Sequence, residues 1–563
     1  MTAGAAGARQ AWIRALASVA AMERDRDLTL AGMLESLAEA HGERFALIGA
    51  DERLSYVGLA RRVAEVARWA ASRYRGATLG LLMPNRPEYV ALWLGLTRGG
   101  CVVALLNPAL GDEAMRHAVG VAGCAAVIVD PSLRARGEAG GATLLDPAEL
   151  VCTEPVALPM PARGATALLV FTSGTSGLPK ASLVTHARVL EWALWFAGML
   201  DLTPEDRVYD CLPLYHSTGG IVAVGACLVR GASVLIAPGF SASRFWDDVT
   251  ADEATVFFYI GELCRYLADS PPHPQERRHR LRLAVGNGLQ EGVWQRFQSR
   301  FGIDAILEFY AATEGNVSLY NCEGKPGAIG RVPPFLHARF PLALIRVDAE
   351  SGEPVRGADG LCIACGTDQP GEALGRLAGG RRFDGYTDLV ASARKALSDV
   401  LQPGDRWFRS GDLMRRDAAG FYYFVDRMGD TFRWKGENVS ASEVAAAVRC
   451  CPGVLDGVVY GVRIPGQEGR AGMAAIVPGP EFDISRLAEA LAGKLPVYAR
   501  PLFVRVCGQL DVTGTFKLSA ARLAREGYAE SAEPVWFCRR APLAPVRCDP
   551  DLIEAIEDGR ERV

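Results

Sequence analysis

The stretch of this 563-residue chain richest in chemistry is FTSGTSGLPK, residues 171–180. Thr172, Ser173, Thr175 and Ser176 set four hydroxyls around Gly174 and Gly177, and Lys180 follows Pro179. Glycines let a backbone approach an anion closely, hydroxyls donate to its oxygens, and a lysine adds a cation. The pattern points to a phosphate grip, with a flexible Ser/Gly turn as the plain alternative. It is not a Walker A loop, which needs GxxxxGK and then Ser or Thr; Ala181 stands where that hydroxyl belongs. A second constellation is EFYAATEGN, residues 308–316: Tyr310 offers a flat face for a base, Thr313 a hydroxyl and Glu314 a hard carboxylate suited to Mg2+. In a third, RSGDLMRRDAAGFYYFVDR (409–427), Asp412 can accept from ribose hydroxyls, with Arg427 nearby as a donor. Singly, each carboxylate reads as readily as a solvated turn residue. Together they make up the inventory of an ATP site.

Such groups need a scaffold. Between residues 28 and 150 helical patterns alternate with short apolar runs: helices at 59–73 and 87–97, strands at 77–82, 101–105 and 125–129. The apolar pattern continues at 165–171, 221–229, 233–236 and 255–259. Strands alternating with helices predict an α/β fold of parallel sheets with helices on their faces. From about 327 to 423 the texture changes to short strands and Gly/Pro turns, which predicts an antiparallel or barrel-like subdomain. A compact α+β segment follows, with helices at 444–449 and 484–494 and strands at 455–462 and 472–477. The expected architecture is a large N-terminal domain (1–426) of two helix-flanked sheets plus the small barrel-like subdomain, then a small C-terminal domain (427–563).

Composition narrows the function classes. At 49% hydrophobic and 22% charged residues the chain is globular rather than disordered or coiled-coil. Lys+Arg 61 against Asp+Glu 65 gives a net charge of −4, which removes the broad electrostatic case for a nucleic-acid partner. Fourteen cysteines are scattered, and Cys362 and Cys365 form a lone CxxC with no His nearby, so buried or inert thiols in a reducing compartment are expected. No secretory signal is read at the start, where Arg14 interrupts the apolar stretch. Residues 89–106 and 219–238 are broken by Arg98 and Arg230 and fall short of a membrane span. Trp12, Leu16 and Val19, with Ile13 and Ala20, share one helical face, either docked on the protein or resting on a membrane surface.

These motifs resemble the adenylate-forming superfamily of acyl-CoA synthetases, firefly-type luciferases and peptide-synthetase adenylation domains. The resemblance is nearest to the fatty-acid-transport-protein and very-long-chain acyl-CoA synthetase branch. Further strings carry it: LPLYHSTGG (212–220), GNGLQEGVW (286–294), FDGYTD (383–388), FYYFVDRMGDTFRWKGENVS (421–440), YGVRIPGQEGRAGMAA (460–475) and YARPLFVRV (498–506).

The resemblance implies ATP, Mg2+ and coenzyme A. Thr172, Ser173, Gly174, Thr175, Ser176, Gly177 and Lys180 would hold the β- and γ-phosphates. Tyr310 would stack on the adenine, Gly286, Asn287, Gly288 and Ala312 would belong to the cofactor-binding site, Thr313 would meet the α-phosphate, and Glu314 with Thr175 would hold the metal. Asp412 and Arg427 would bind ribose. His216 would lie between the acyl and nucleotide pockets, with a satisfied core histidine as its alternative. Residues 427–430 match the hinge of a mobile C-terminal domain. Lys517, in DVTGTFKLS (511–519), matches the lysine that promotes adenylation, and the loop 433–437, with Lys435 and Gly436, matches the one serving the thioester step. Three departures stand out: Ala311 where Gly is more usual, Gly429 without a charged side chain, and no basic run after Lys517.

The implied activity is an AMP-forming acid–thiol ligase acting on a hydrophobic carboxylic acid, in the cytoplasm or against the inner face of the membrane, as monomer or homodimer. Long or very long fatty acids follow from the branch; a bulky alicyclic, terpenoid or steroid-like acid is the other substrate reading. Loading of a carrier protein, and fatty-acid uptake without catalysis, are the competing functions. Gly219, Gly220, Ala223, Gly225 and Ala226 either leave room for the acyl chain or let a helix pack closely on the sheet.

Overall fold

The computed structural model describes all residues except 1–2, 153, 174–177, 313–316, 349–350, 378–384, 429, 436, 468, 512–517, 519, 530, 539–543 and 562. The chain forms two compact units, residues 1–332 with 378–396, and residues 333–377 with 397–563.

Two helix-flanked sheets build the first unit. Six consecutive neighbours of the larger sheet run parallel: Ala305–Ala311, Leu283–Asn287, Val256–Ile260, Arg207–Asp210, Ser233–Ile236 and Phe45–Ile48. Antiparallel strands Ser318–Asn321 and Arg53–Ser55 finish its two edges. The smaller sheet has the order Leu144–Leu145, Cys124–Val129, Thr78–Leu82, Val102–Leu105, Thr166–Ser173, Pro179–Thr185, parallel except for the last pair. Covering both faces of a parallel sheet demands strands apolar on both sides, and VFFYI at 256–260 is buried at every position. Local signals start the covering helices: Ser55 caps Tyr56–Arg73 by accepting from the Gly58 N–H, and Pro87 opens Pro87–Arg98.

The N-terminal helix Ala3–Val19 is docked on the protein. Its buried face is Ala8, Ala11, Trp12, Ala15 and Val19; Ile13 is exposed and Leu16 half-buried, which corrects part of the stripe read from the sequence. Trp12 meets the rings of Trp195 and Tyr320 edge-on at 5.8 and 5.4 Å. A Cβ at Gly198 would overlap the helix backbone at Arg14 and Ala15, so that glycine sets how closely the two helices approach. Among the described residues no helix is long and apolar enough to cross a membrane.

Close packing also explains the small residues that follow His216. Residues Ser217–Ala223 form a π-helix that continues as the α-helix Val224–Leu228. A side chain on Gly220 would strike the Leu214 carbonyl, one on Gly219 would lie 3.0 Å from the Pro213 carbonyl oxygen, and one on Gly225 2.8 Å from the Ala193 methyl. These three glycines are used by helix packing, and not as acyl volume.

The second unit holds two separate cores. One is built on the antiparallel strands Leu342–Ile345, Gly371–Arg376, Arg406–Arg416 and Tyr422–Arg427 around Ile345, Leu374, Val400 and Trp407. The other extends from Phe432 to Ile556. Its mixed sheet runs Val454–Val462, Ala471–Pro478, Phe503–Val506, Val535–Phe537, Val546–Arg547, packed with helices that include Ala441–Arg449 and Ile484–Lys494. All fourteen thiols are free. Burial pushes those of Cys101, Cys124 and Cys322 up to about 12, which suppresses thiolate chemistry.

Two carboxyl groups are buried near the ends of the parallel strands. Asp210 accepts from the Leu212 N–H at 3.0 Å with Oδ1, while its Oδ2 has no hydrogen-bond partner among the described residues, and burial pushes it up to about 7. Glu308 is pushed up to about 8, again by burial.

Two predictions follow from this packing. Gly220→Ala is expected to cost roughly 2–4 kcal/mol, because the obstacle is backbone, while Gly239→Ala, with nothing nearby, stays within about 0.5 kcal/mol. Urea unfolding midpoints of the two variants check this. Asp210 and Glu308 hold protons in the folded protein at pH values where the unfolded chain has released them. Their share of stability is therefore complete below about pH 4 and is lost as pH rises towards 7–8. Asp210→Asn should flatten the fall in melting temperature between pH 5.5 and 8.5 by about 2–5 °C; an unchanged slope would show that Asp210 titrates normally.

Candidate active site

Thr172 and Lys180 face each other across the antiparallel pair Thr166–Ser173 and Pro179–Thr185, with Ser173 opposite Pro179. The phosphate-grip residues are thus carried by a hairpin rather than by a strand leading into a helix. Pro179, which cannot donate to a ladder, sits on an edge strand where that costs nothing. Lys180 is half-buried, and no carboxylate pairs with it among the described residues. A half-buried cation beside a Thr hydroxyl suits an incoming anion. Residues 385–387 run alongside the hairpin: the Leu183 N–H donates to Gly385 O at 3.0 Å and the Thr387 N–H to Ala181 O at 3.1 Å. Tyr386 bridges to Ser182 there. Gly174, Thr175, Ser176 and Gly177 lie outside the described residues.

In parallel α/β sheets ligands bind at the carboxyl ends of the strands. Gly286 and Asn287 finish the strand Leu283–Asn287, Tyr310 is near the end of Ala305–Ala311, and His216 follows Arg207–Asp210, all in the larger sheet. Gly286 lacks room for a side chain, since a Cβ would overlap the Tyr259 carbonyl. Gly288 has φ 80°, a conformation that glycine tolerates best. Tyr310 and Ala312 are half-buried and Ala311 is exposed. His216 is half-buried, its ring 4.5 Å from that of Tyr215. Thr313 and Glu314 lie outside the described residues.

One buried group ties these strand ends together. Glu308 Oε2 lies 2.5 Å from Tyr259 Oη, and the Leu289 N–H donates to Oε1 at 3.0 Å. Three neighbouring strands and the loop that begins at Gly288 are therefore held by one carboxyl group two residues before Tyr310. Glu308 opens the string EFYAATEGN, whose other residues carry the recognisable chemistry. The available signal was an acidic residue inside the apolar run AILEF, and Asp210, at the end of RVYD, gives the same one.

The second unit brings Asp412 and Arg427 together. They are directly opposite in the strand pair Arg406–Arg416 and Tyr422–Arg427, with Arg427 Nε 3.6 Å from Asp412 Oδ1. Asp412 is mostly buried while Arg427 is more than half exposed. Gly411, just before it, has φ 79°. Glu372, fully buried, accepts from Arg409 through both oxygens (2.8–3.1 Å) and from the Gly411 N–H at 3.2 Å, fixing the backbone that presents Asp412. Asp426, also buried, accepts from the Ser440 and Ser442 hydroxyls at 3.0 and 2.9 Å. Those bonds fasten Tyr422–Arg427 to the start of the helix Ala441–Arg449. Asp426 lies within the strings 409–427 and 421–440, where nothing local marks it as buried, and Glu372 lies outside every such string.

Lys435 occupies the turn between Phe432–Trp434 and Glu437–Val439 with φ 52°. Its ammonium donates to Val563 O at 2.7 Å and lies 5.3 Å from the Trp434 ring centre. Gly429, Gly436 and Lys517 lie outside the described residues.

The family model described as AMP-binding enzyme matches residues 34–368, and that described as AMP-binding enzyme C-terminal domain matches residues 443–517. The chain is 39% identical over 535 residues to long-chain fatty acid transport protein 1 of Mus musculus, which covers 89% of this chain and 82% of that one. It is 39% identical over 529 residues to the medium/long-chain-fatty-acid–CoA ligase FadD6 of Mycobacterium tuberculosis, covering 91% and 88%. Among solved structures, ATP-bound MatB from Rhodopseudomonas palustris matches with a TM-score of 0.73 at 23% identity, over 88% of this chain and 99% of that one. The o-succinylbenzoate coenzyme A synthetase MenE of Bacillus subtilis, in complex with ATP and magnesium ion, gives 0.70 at 22%, over 86% and 97%. At such identities these two structures speak for the fold. The paired helix-flanked sheets and the mixed α/β C-terminal core agree with them, and the family models match on both sides of residue 427: the chain belongs to the AMP-binding enzyme family.

Proposed function

We propose that this protein is an ATP-dependent acyl-CoA synthetase that converts a long- or very-long-chain fatty acid, through an acyl-AMP intermediate, to its coenzyme A thioester. The observation that carries the reading is Lys180, half-buried opposite Thr172 and free of any carboxylate among the described residues, next to the hydroxyl-rich loop. The names of relatives that share 39% of their residues over about nine-tenths of the chain support a fatty acid as substrate. The chain works in the cytoplasm or against the inner face of the membrane.

A carboxylate is a poor acyl donor because its leaving group would be oxide. In the first step a carboxylate oxygen attacks the α-phosphorus of ATP, a new O–P bond forms, and the bond to the β-phosphate oxygen breaks to release pyrophosphate. Negative charge spreads over the phosphoryl oxygens, so fixed cations and donors supply most of the acceleration. Lys180, Thr172 and the 173–177 loop grip the β- and γ-phosphates. Tyr310 stacks on the adenine beside Gly286, Asn287, Gly288 and Ala312, while Asp412 accepts from the ribose hydroxyls with Arg427 as donor. Thr313 meets the α-phosphate, and Lys517 neutralises charge at the reacting centre. Glu314 and Thr175 offer the hard oxygen ligands that Mg2+ takes, and the ion when bound adds charge neutralisation at the phosphates. In the second step the thiol sulfur of coenzyme A attacks the acyl carbon. A C–S bond forms, the C–O bond to AMP breaks, and the thiol proton passes to solvent.

Residues 427–563 form the moving domain in this reading. Rotation about 427–430 withdraws Lys517 and brings in the loop 433–437. His216 stands between the acyl and nucleotide pockets.

Lys517→Ala is expected to slow acid-dependent pyrophosphate release by about 10²–10³, as the loss of one charge-stabilising donor does. Asp412→Ala should raise the KM for ATP by about tenfold or more with little change in that for the acid. A pyrophosphate-release panel across acids of graded length and bulk, with coenzyme A present or absent, tests the whole reading. No release with any apolar acid would refute it. Release best with a bulky ring acid would move the substrate class, and thioester formed on a holo-carrier protein instead of coenzyme A would move the acceptor.

A further inference from the structure

We propose that Arg505, Glu526, Arg522 and Asp511 form a positioning network that fixes the base of the segment carrying Lys517, and so sets where that lysine stands during adenylation. The inference rests on the acyl-CoA synthetase reading above, in which Lys517 acts in the first step only.

Arg505 lies in Phe503–Val506, the central strand of the C-terminal sheet, and its side chain is fully buried. A buried guanidinium needs compensation. Arg505 Nη1 pairs with Glu526 Oε2, with Glu533 Oε2 3.7 Å away, and Nη2 donates to Gly527 O at 2.6 Å. The Glu526 carboxylate is shared: its Oε1 accepts from Arg522 Nη1 at 2.8 Å. Arg522 Nε then donates to Asp511 Oδ2 at 3.0 Å. Asp511 precedes Lys517 in the chain and Arg522 follows it, so this last bond joins the two sides of the segment.

The path from the rigid strand to the two flanks of the lysine is thus a chain of charge-assisted hydrogen bonds, stronger and more directional than neutral ones. The two guanidiniums hold the Glu526 carboxyl below the usual range, Arg505 contributing most, so it stays ionised across the working pH. Apolar contacts register the helix Ala521–Glu526, which carries Arg522 and Glu526, and the turn after it to the strand of Arg505. Leu523 is fully buried, and Tyr528 stacks on Phe503 at 4.3 Å between ring centres with 3° between planes.

Such a network contributes in two separable ways. Arg522 and Asp511 are each nearly half exposed, and ion pairs of that kind stabilise a fold little. Phosphoryl-transfer chemistry is sensitive to displacement: an error of about 1 Å in a charged group can cost about 10²-fold. Breaking the Arg522–Asp511 bond should therefore be nearly silent in melting temperature and visible in the step that uses Lys517.

The test uses the full chain with Asp511→Asn and with Arg522→Gln, and Lys517→Ala as a reference. Palmitate-dependent ATP–pyrophosphate exchange reads the first step. Thioester formation from supplied palmitoyl adenylate and coenzyme A reads the second. Both network variants are expected to lose about 5–30-fold in exchange, to stay within about twofold in thioester formation, and to melt within about 2 °C of the parent. Equal losses in the two half-reactions would mean a general structural role and overturn the proposal, as would undiminished exchange. Undiminished exchange in Lys517→Ala itself would instead overturn the assignment of Lys517, and the network's role with it.

Discussion

The bonds of a single buried carboxyl group decide where the larger sheet presents its chemistry. Parallel strands covered by helices on both faces offer a ligand only their ends, and ends that fray independently would offer it nothing fixed. Glu308, two residues before Tyr310, prevents this by reaching the Leu289 N–H just beyond the adjacent strand Leu283–Asn287 and Tyr259 on the strand after that one. The group is fully buried, and its raised affinity for a proton is the cost of placing it there. Close backbone approach at Gly286 completes the arrangement, since any side chain would push that strand away from Tyr259.

The second unit applies the same device with hydrogen-bonded carboxyl groups. Glu372 orders the backbone before Asp412 by accepting from Arg409 through both oxygens and from the Gly411 N–H. Asp426 fastens the strand that carries Arg427 to the following helix through two serines. Buried carboxylates of this kind lose hydration and recover it only when every lone pair is met, so they fix geometry more than they add stability. Residues proposed to touch nucleotide are supported by others whose task is to hold backbone still.

Small residues have the opposite task. Gly198, Gly219, Gly220 and Gly225 let elements approach to distances at which a methyl group would collide. In the π-helix after His216, Gly219 and Gly220 lie against the Leu212–Leu214 backbone, and π-helical turns recur at functional sites. The acyl chain must therefore find its room elsewhere than at these glycines.

Read alone, the sequence determined the α/β class, the antiparallel texture after residue 327, the C-terminal α+β core, the family resemblance, and the residue types able to grip phosphate, base and ribose. Helix 484–494 appears with the bounds expected, and strands expected at 455–462 and 472–477 appear within a residue of them. These features are local, written in periodicity, turn residues and the order of side chains along a loop. Tertiary structure alone decided that Thr172 and Lys180 share a hairpin, that Trp12 faces Trp195 rather than a lipid surface, that the glycines after His216 serve packing, and that Asp210, Glu308, Asp426 and Arg505 are buried. Each of these depends on which distant segments become neighbours. That follows from strand order and from the match of whole surfaces, and a short window of residues carries no record of either.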